Sequence, residues 1–511
     1  MRNITLLIIC ALPVAASVFT AGKWFSDYMI MPKWYGMIIM LALSITILCT
    51  LRIAGMCKGL SSEKLWTQME KAVMTVCALQ ALFMISQHYG IIPPYGMYTT
   101  GSFENAAGFA SCMALSMPLA LRRLTETGYK GKCIIITYIL LCVTAVVCSG
   151  SRTGILCIIV SGCIMLCRML SIKYAAIIPV AIIAAAISAV AIKTDSTNGR
   201  WFILQRTAEL IKRHPITGDG TGTFDREYMN IQAEYFKNNP DCEYSMLADN
   251  IHHPLNELML VAVDFGIIGF AILAAISLFT VCHARKNTNR LTHTGLHILA
   301  VILLFSMFSY PFLYPFTWIM LAAAIFCIFE KGIRINRYAI LFITPLAVAG
   351  ATYIIFKAKT DRQLQRILET AEYRPARKCV PMYEAYYNEK RNDYSYLYSL
   401  AVMQFDAGLY RRALKTAMEC SKILADYDLC LLLGDINREL RNFSDATHWY
   451  KQAHFMCPSR ITPLYETYMI YRQTENTTER RRMADIILNK PVKIKSETVN
   501  QMLDEIRGYE N

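Results

Sequence analysis

Four polar motifs interrupt the apolar N-terminal part of this chain, and they contain the residue types best suited to chemistry. Each motif combines charged or hydrogen-bonding side chains with glycine or proline, which shape a backbone for close approach to a ligand. The motifs are GSFEN at 101–105, SGSRTG at 149–154, GRW at 199–201 followed by HPITGDGTGTF at 214–224, and HHPLNE at 252–257 with Asp264 two helical turns beyond.

Arg152 and Arg200 are the candidates for binding an anion. A guanidinium near hydrocarbon is costly enough to need a partner or a purpose, and its rigid fork suits bidentate contact with phosphate. The alternative for Arg152 is contact with lipid head groups or with a structural acid such as Glu104. Arg206 is a further substrate-binding candidate, although a solvated helix face is the simpler interpretation of the basic residues Arg206, Lys212 and Arg213.

His253 is the candidate general base, because an imidazole titrates near neutral pH. We prefer it to His252 because it lies nearer to the next apolar segment and to Asn256 and Glu257, which we assign to substrate binding together with Asn105. The alternative is that both histidines are merely tolerated polar residues. A further histidine, His214, precedes a proline and is expected to mark a helix end.

The glycine-rich run at 218–224 resembles a phosphate-binding loop but lacks the Lys-Ser/Thr pair that follows in nucleotide-binding P-loops. Gly220 and Gly222 are therefore expected to form a tight turn with exposed amides that bind substrate. Metal binding needs carboxylates at ligand spacing, and the acidic residues of this loop are scattered. We predict no obligatory metal and no cofactor.

The composition that surrounds these motifs is that of an integral membrane protein, since 55% of the 511 residues are hydrophobic and 18% are charged, with a mean hydropathy of +0.32. Apolar runs long enough to span a bilayer recur up to residue 357 and predict an all-α polytopic bundle of about eleven transmembrane helices. We place the runs at 4–21, 34–51, 70–89, 105–121, 133–149, 153–170, 174–192, 254–281, 292–309, 312–329 and 338–356.

Charge asymmetry between alternate loops predicts the orientation of this 1–357 domain. With a cytoplasmic N-terminus, the inner loops carry sixteen Lys and Arg, and the short outer loops carry Lys23, Lys33 and Arg152. The large loop 193–252 and everything after Lys357 are then outside the cytoplasm, and the first span stays as a signal-anchor. The net charge of +14 is largely explained by the inner loops, so a nucleic-acid partner is rejected.

Thirteen of the 18 cysteines lie in the membrane part and are interpreted as small apolar residues. The outer cysteines show no CxxC spacing, and a disulfide among them is left open.

The remaining domain, 358–511, changes to amphipathic helices with small residues at fixed spacing. This spacing matches a tetratricopeptide repeat and predicts a soluble α-solenoid of two or three repeats, with a capping helix that ends near residue 508. Such repeats would bind a partner protein or steer an acceptor; the alternative is a domain that only adds stability. The residues that carry the pattern are Leu433, Gly434, Ala446, Tyr450, Ala453 and Pro458, with Ala401, Ala413 and Ala417 in the preceding unit.

Taken together, the motifs resemble the O-antigen ligase and polymerase family of bacterial polytopic glycosyltransferases, over roughly residues 100–280. The resemblance rests on GSFENAAGFA from Gly101, SRTG from Ser151, GRW...HPITGDGTGTF from Gly199, and HPLNE...DFGIIG from His253. It implies a C-type glycosyltransferase-like membrane fold in the bacterial inner membrane. It also implies transfer of a glycan from an undecaprenyl-pyrophosphate carrier to an acceptor hydroxyl in the periplasm, without a metal or a nucleotide sugar.

By the same resemblance, Arg152 and Arg200 would hold the pyrophosphate, and His253 would deprotonate or orient the acceptor hydroxyl. One departure concerns the histidine, since many relatives place it directly before the asparagine of this motif, where this chain has Leu255. His253 lies three residues before Asn256, about one helical turn. It would reach the same place if that turn were helical.

Several functions remain open from the sequence. A ligase would use lipid A-core as acceptor, a polymerase would extend the glycan, and a protein O-oligosaccharyltransferase would use Ser or Thr of a protein. The repeat domain slightly favours an acceptor that must be docked. Outside this class stand a transporter or flippase, against which we find no internal repeat among the spans, and a membrane-tethered scaffold, which leaves Arg152 without a role.

Overall fold

The computed structural model describes residues 3–54, 61–94, 99–169, 194–240, 242–286, 289–329, 337–493 and 495–510. Within these ranges the chain is all-α, as predicted, and contains no β-strand. The expected span at 174–192 lies outside the described residues. The chain divides into two compact units: a first unit of Met1–Ile192, Leu255–Glu257 and Ala274–Gln365, and a second unit of Lys193–Pro254, Leu258–Leu273 and Arg366–Asn511.

Helices underlie the other ten expected spans. They are α1 (Asn3–Phe19), α2 (Met31–Ile53), α3 (Ser62–His88), α4 (Ala106–Glu126), α5 (Tyr129–Cys148), α6 (Arg152–Met169), α9 (Glu257–Lys286), α10 (Arg290–Ser306), α11 (Pro315–Phe329) and α12 (Arg337–Ala371). Six of them, α2, α3, α5, α6, α9 and the part of α12 from Phe342, are long and apolar enough to cross a membrane. The chain is therefore a multi-pass membrane protein by its helices, and the number of eleven spans stays a prediction.

The core of the first unit is organised around α4. Every residue of this helix from Gly108 to Ala120 is buried, so α4 has no polar face and must be surrounded by other helices. Buried side chains of α1, α3, α5, α10 and α11 complete the core around it. Lys33 lies in the first turn of α2 rather than in a loop, and its ammonium donates to the carbonyl oxygens of Met29 (2.8 Å) and Ser102 (2.6 Å).

The second unit contains the large loop and the C-terminal helices. In the loop, α7 (Thr194–Ile211) and α8 (Thr223–Asn238) are followed by a short 3-10 turn, Glu243–Met246. The C-terminal helices are α13 (Ala376–Glu384), α14 (Tyr387–Lys390), α15 (Tyr394–Asp406), α16 (Tyr410–Cys420), α17 (Tyr427–Glu439), α18 (Phe443–Met456), α19 (Thr462–Gln473), α20 (Thr477–Leu488) and α21 (Glu497–Glu510).

Small residues let successive C-terminal helices pack closely. Ala413, Ala417, Ala446 and Ala453 are completely buried, and a Cβ on Gly434 would overlap the ring of Tyr450. The positions chosen from the repeat pattern are thus interior positions of helix pairs. That these pairs form a tetratricopeptide solenoid stays a prediction, as does a domain boundary after residue 357.

Candidate functional site

Asn105 sits at the start of α4 and joins it to a tyrosine-rich turn. Its side-chain oxygen accepts from the Gly108 amide (2.8 Å), which makes it the N-cap of the helix, while its amide nitrogen donates to the Tyr310 hydroxyl (2.8 Å). The preceding carboxylate, Glu104, accepts from the Tyr314 hydroxyl (2.5 Å). Asn105 therefore has a structural role as a cap, and its substrate-binding role stays a prediction.

Two further predicted binding residues bond to the same turn, which covers residues 307–314. The amide of Asn256 donates to the Met307 carbonyl (2.9 Å), and the Glu257 carboxylate accepts from the Phe312 amide (3.2 Å). The first unit therefore brings Asn105, Asn256 and Glu257 together around one connection between α10 and α11, which contains the 3-10 turn Pro311–Leu313.

This tyrosine-rich turn was not predicted from the sequence. The apolar run 312–329 predicted one span, whereas α11 begins at Pro315, where the fixed proline torsion suits a first helical position. The sequence feature that could have indicated this turn is the repeated Tyr-Pro pair, Tyr310-Pro311 and Tyr314-Pro315. Helices usually end at or before the residue that precedes a proline, so each tyrosine ring lies beside a helix break.

Arg152 is the first residue of α6 and is half-buried in the first unit. The connection before it turns through Gly150, whose φ of +69° favours glycine, and the Ser151 hydroxyl accepts from the Gly154 amide (3.2 Å). A Cβ on Gly154 would overlap that of Ala110 in α4, so this glycine permits the close packing of α6 on the core. The Arg152 side chain therefore extends from the N-terminus of α6, where the packing of Gly154 on Ala110 fixes the backbone.

Arg200 and Arg206 both lie on α7 in the second unit, in different surroundings. Arg200 is exposed. The Arg206 guanidinium stacks over the Tyr235 ring at 4.0 Å and pairs with Glu209 at 2.8 Å, and only 11% of its side chain is exposed. The expectation of a solvated face is therefore wrong for Arg206, because cation–π stacking and an ion pair hold it against the loop.

The glycine-rich run forms the expected tight turn before α8. Gly218, Gly220 and Gly222 have φ of +68°, +87° and +82°, in the left-handed region that favours glycine, and Gly222 is the N-cap of α8. A Cβ on Gly218 would overlap the backbone of Asp264, whereas Gly220 faces open space. At Gly218 the turn therefore lies so close to another backbone segment that a side chain would not fit between them.

That other backbone is α9, which is broken at Gly266 (φ 56°, ψ −151°). The break frees two carbonyl groups that would otherwise accept intrahelical bonds. The Val263 carbonyl accepts from the Asp219 amide and the Asp264 carbonyl accepts from the Gly220 amide, both at 3.0 Å. The expectation of an exposed Gly220 amide is therefore wrong, since this amide closes the break.

The two amides on the other side of the break are satisfied in the same way. Ile267 donates to the Pro215 carbonyl (2.9 Å) and Ile268 donates to the Ile216 carbonyl (3.2 Å). Two intrahelical hydrogen bonds are thus replaced by four bonds to the segment 215–222, here called the glycine turn. Unpaired backbone groups are expensive in an apolar segment, so this exchange explains how the break is tolerated.

His253 is half-buried in a segment that is not helical. Helix α9 begins at Glu257, and Leu255 has a φ of +56°, which a helical turn excludes. The helical register by which His253 was expected to reach the site beside Asn256 is therefore wrong. Its role in catalysis stays a prediction.

His252 makes two ion pairs within the second unit, at 3.5 Å to Asp225 and 3.3 Å to Asp426. Hydrogen bonds to these two carboxylates raise the pKa of His252 to about 9, so the imidazole is positively charged at neutral pH. A histidine held in this form already carries its proton and cannot act as a general base at neutral pH.

Acidic groups in the loop are partly buried but separate. Among the described residues, no three His, Cys, Asp or Glu side chains are placed to share a metal ion. Asp264 is 9% exposed, and its Oδ1 has no hydrogen-bond partner in the described part of the chain.

The cysteines among which the sequence left a disulfide open are free thiols in the structure. They are Cys242, Cys379, Cys420, Cys430 and Cys457.

Comparison with known proteins gives one family for this region. Residues 137–274 match the family model described as O-Antigen ligase (Wzy_C). The match includes the SRTG, GRW...GDGTGTF and HPLNE...DFGIIG motifs, whereas GSFENAAGFA lies before it. A search of curated proteins finds no match to the chain. The matched part of this membrane protein is therefore similar to O-antigen ligases, which supports a glycan-transfer enzyme in general terms.

Proposed function

We propose that this protein transfers a glycan from an undecaprenyl-pyrophosphate carrier to an acceptor hydroxyl, as an O-antigen ligase-like enzyme without a metal. The observation that carries the proposal is the match of residues 137–274, because this stretch contains Arg152, Arg200 and His253 together with the glycine turn. We further propose the bacterial inner membrane as its location, with the large loop and the C-terminal helices in the periplasm.

In this proposal, Arg152 and Arg200 bind the pyrophosphate of the donor. A guanidinium binds two phosphate oxygens at once and keeps its charge at any physiological pH. Arg152 starts from the N-terminus of α6, where helix amides also favour an anion. Both cations would stabilise the negative charge that develops on the leaving pyrophosphate, which is the larger part of such catalysis.

His253 accepts the proton of the acceptor hydroxyl. The acceptor oxygen forms a bond to the anomeric carbon of the glycan while the bond from that carbon to the phosphate oxygen breaks. Undecaprenyl pyrophosphate leaves with the electron pair of the broken bond, and the proton remains on the imidazole. A single displacement of this kind inverts the anomeric centre.

Three classes of acceptor fit this chemistry. Lipid A-core is the acceptor of a ligase, and a polymerase or a protein O-oligosaccharyltransferase is the alternative within the same chemistry. The repeat helices support an acceptor that is docked, or a separate protein partner, because stacked helix pairs offer extended binding surfaces.

A transporter is the second candidate, and one observation favours it. Broken helices with a buried carboxylate are found at ion sites of transporters, and α9 has both a break at Gly266 and the carboxylate of Asp264. However, backbone groups of the glycine turn bond to all four groups freed by the break. The carbonyls are thus already occupied, which favours the transferase.

The test is surface-glycan profiling of a deletion strain complemented with wild type, Arg152→Ala or His253→Ala at matched membrane levels. We expect each variant to lower transfer by about 100-fold or more, with glycan retained on its lipid carrier. Arg168→Ala is the matched control, since Arg168 lies at the other end of α6 and donates to the His293 carbonyl (3.0 Å). A normal profile from both site variants would move transport or scaffolding ahead of transfer.

A further inference from the structure

Three of the four residues before His253, namely Asp249, Asn250 and His252, are held by the C-terminal helices. The Asn250 amide donates to the Asp426 carboxylate at 2.6 Å, and the His252 imidazole lies 3.3 Å from the same Oδ2 atom. The Arg460 guanidinium pairs with Asp249 at 2.6 Å. A segment without regular secondary structure is thereby fixed at three successive points.

Helix α8 of the loop is attached to the same helices. The amide of Gln232, which is completely buried, donates to the carbonyls of Met456 (2.6 Å) and Asp249 (3.0 Å). Two turns earlier in α8, the Ala425 amide donates to the Asp225 carbonyl at 2.8 Å. The loop and the repeat helices therefore share buried hydrogen bonds, which are costly to leave unmade.

Asp426 is the central residue of this attachment. It is 7% exposed and caps α17 by accepting from the Leu429 amide at 2.8 Å. Its second oxygen is then directed to Asn250 and His252. Because a cap fixes the carboxylate on a rigid helix, the position of α17 determines the position of the segment that leads into His253.

Arg460 acts on the same segment from the turn before α19. Its guanidinium stacks over the Tyr427 ring at 4.5 Å while it pairs with Asp249. Tyr427 is the first residue of α17, so both attachments depend on one helix terminus.

We propose that Asp426 and Arg460 are positioning residues for His253, so that the C-terminal helices form part of the transfer site rather than a separate module. The inference rests on the proposed function, because it assigns to these residues the geometry of the base in that reaction. They touch neither donor nor acceptor; they determine where the imidazole stands. A displacement of about 1 Å in the position of a catalytic group lowers the rate of the reaction by about 100-fold.

The experiment uses the full-length protein in nanodiscs, with lipid-linked glycan extracted from the deletion strain as donor and the acceptor named by surface profiling. Asp426→Ala is compared with Asp393→Ala, which removes an equivalent N-cap from α15, where Asp393 accepts from the Ser395 amide (3.0 Å). Arg460→Ala is compared with Arg472→Ala. The Arg472 guanidinium pairs with Glu505 at 2.8 Å and stacks over Tyr509 at 4.0 Å, away from the loop.

For Asp426→Ala we expect faster hydrogen–deuterium exchange of peptides that cover 248–256 and a kcat lowered about tenfold to a hundredfold. The donor KM should stay within about twofold, because the pyrophosphate is held elsewhere. Asp426→Asn keeps the oxygen that caps α17 but presents its NH2 group to Asn250 and His252, which are donors themselves. The exchange of 248–256 and kcat should therefore change as in Asp426→Ala, although α17 stays capped. Asp393→Ala and Arg472→Ala should change neither the exchange of 248–256 nor kcat.

Two results would overturn the inference. One is faster exchange of 248–256 in Asp426→Ala with an unchanged kcat, which would make the attachment structural only. The other is an equal fall of kcat in Asp393→Ala, which would report general loss of fold. Failure of the proposed function is distinguishable, because the wild-type protein itself would then transfer no glycan.

Discussion

The two units hold their candidate residues by different interactions. In the first unit, Asn105, Asn256 and Glu257 bond to backbone groups and a tyrosine of the 307–314 turn. In the second unit, the segment before His253 is held by ion pairs to helices more than 170 residues further along the chain, such as His252 with Asp426. Hydrogen bonds to backbone groups depend less on pH and salt than partly exposed ion pairs do. The second unit therefore holds its candidate residues by the interactions that solution conditions alter most.

The largest loss of stability should follow from adding a side chain where the glycine turn packs against α9. Gly218→Ala adds a Cβ that overlaps the Asp264 backbone at a φ of +68°, and we expect a loss of more than about 2 kcal/mol of stability. Gly220→Ala is the matched control, since its φ is +87° but nothing lies within 4 Å, and it should cost about 1 kcal/mol. Thermal unfolding midpoints in nanodiscs measure both. Equal losses would show that the turn does not depend on its approach to α9.

An intermediate effect is expected in the first unit from Tyr314→Phe. This change removes the hydroxyl that donates to Glu104 at 2.5 Å and leaves a half-buried carboxylate with one partner fewer, for a loss of about 1–3 kcal/mol. Tyr129→Phe, at a residue that is 84% exposed, should change stability by less than about 0.5 kcal/mol. The loss from Tyr314→Phe should not vary between pH 6 and 9.5, and a marked variation would erase the contrast between the units.

The smallest effect should come from His252→Gln, and it should depend on pH. The His252 pKa is raised from 6.5 to about 9 by Asp225 and Asp426, with Asp428 also nearby. A raised pKa in the folded state means that the stabilisation is complete below about pH 6.5 and is lost as pH rises through about 9. The difference in melting midpoint between wild type and His252→Gln should therefore shrink over this window. A difference that grows with pH would contradict the charged form of His252.

Local patterns predicted the residues that depend on their immediate neighbours. The apolar run 105–121 predicted a helix, which α4 forms. The alanines of the repeat pattern are buried, as their spacing along a helix predicted. The glycine turn was foreseen for the same reason, since a tight turn depends on a few consecutive residues.

Features that join distant segments were missed. Hydropathy treated 254–281 as one span, because it does not register a backbone break at Gly266 that is repaired by residues 215–220. The pairing of His252 with Asp426 has no local signal at all, since 174 positions separate the two residues. The prediction of a helical turn at 253–256 is wrong because Leu255 adopts a left-handed conformation, which leucine rarely does.

The break in α9 has a consequence for the order in which the chain is made. Residues 215–220 leave the ribosome before 263–268, so the partners of the four freed backbone groups are already synthesised when the broken span enters the bilayer. The helices from Tyr394 onward follow later and can attach to the segment before His253 only after that. Deletions that remove the glycine turn should therefore block insertion of this span, whereas truncations of the C-terminal helices should leave insertion intact.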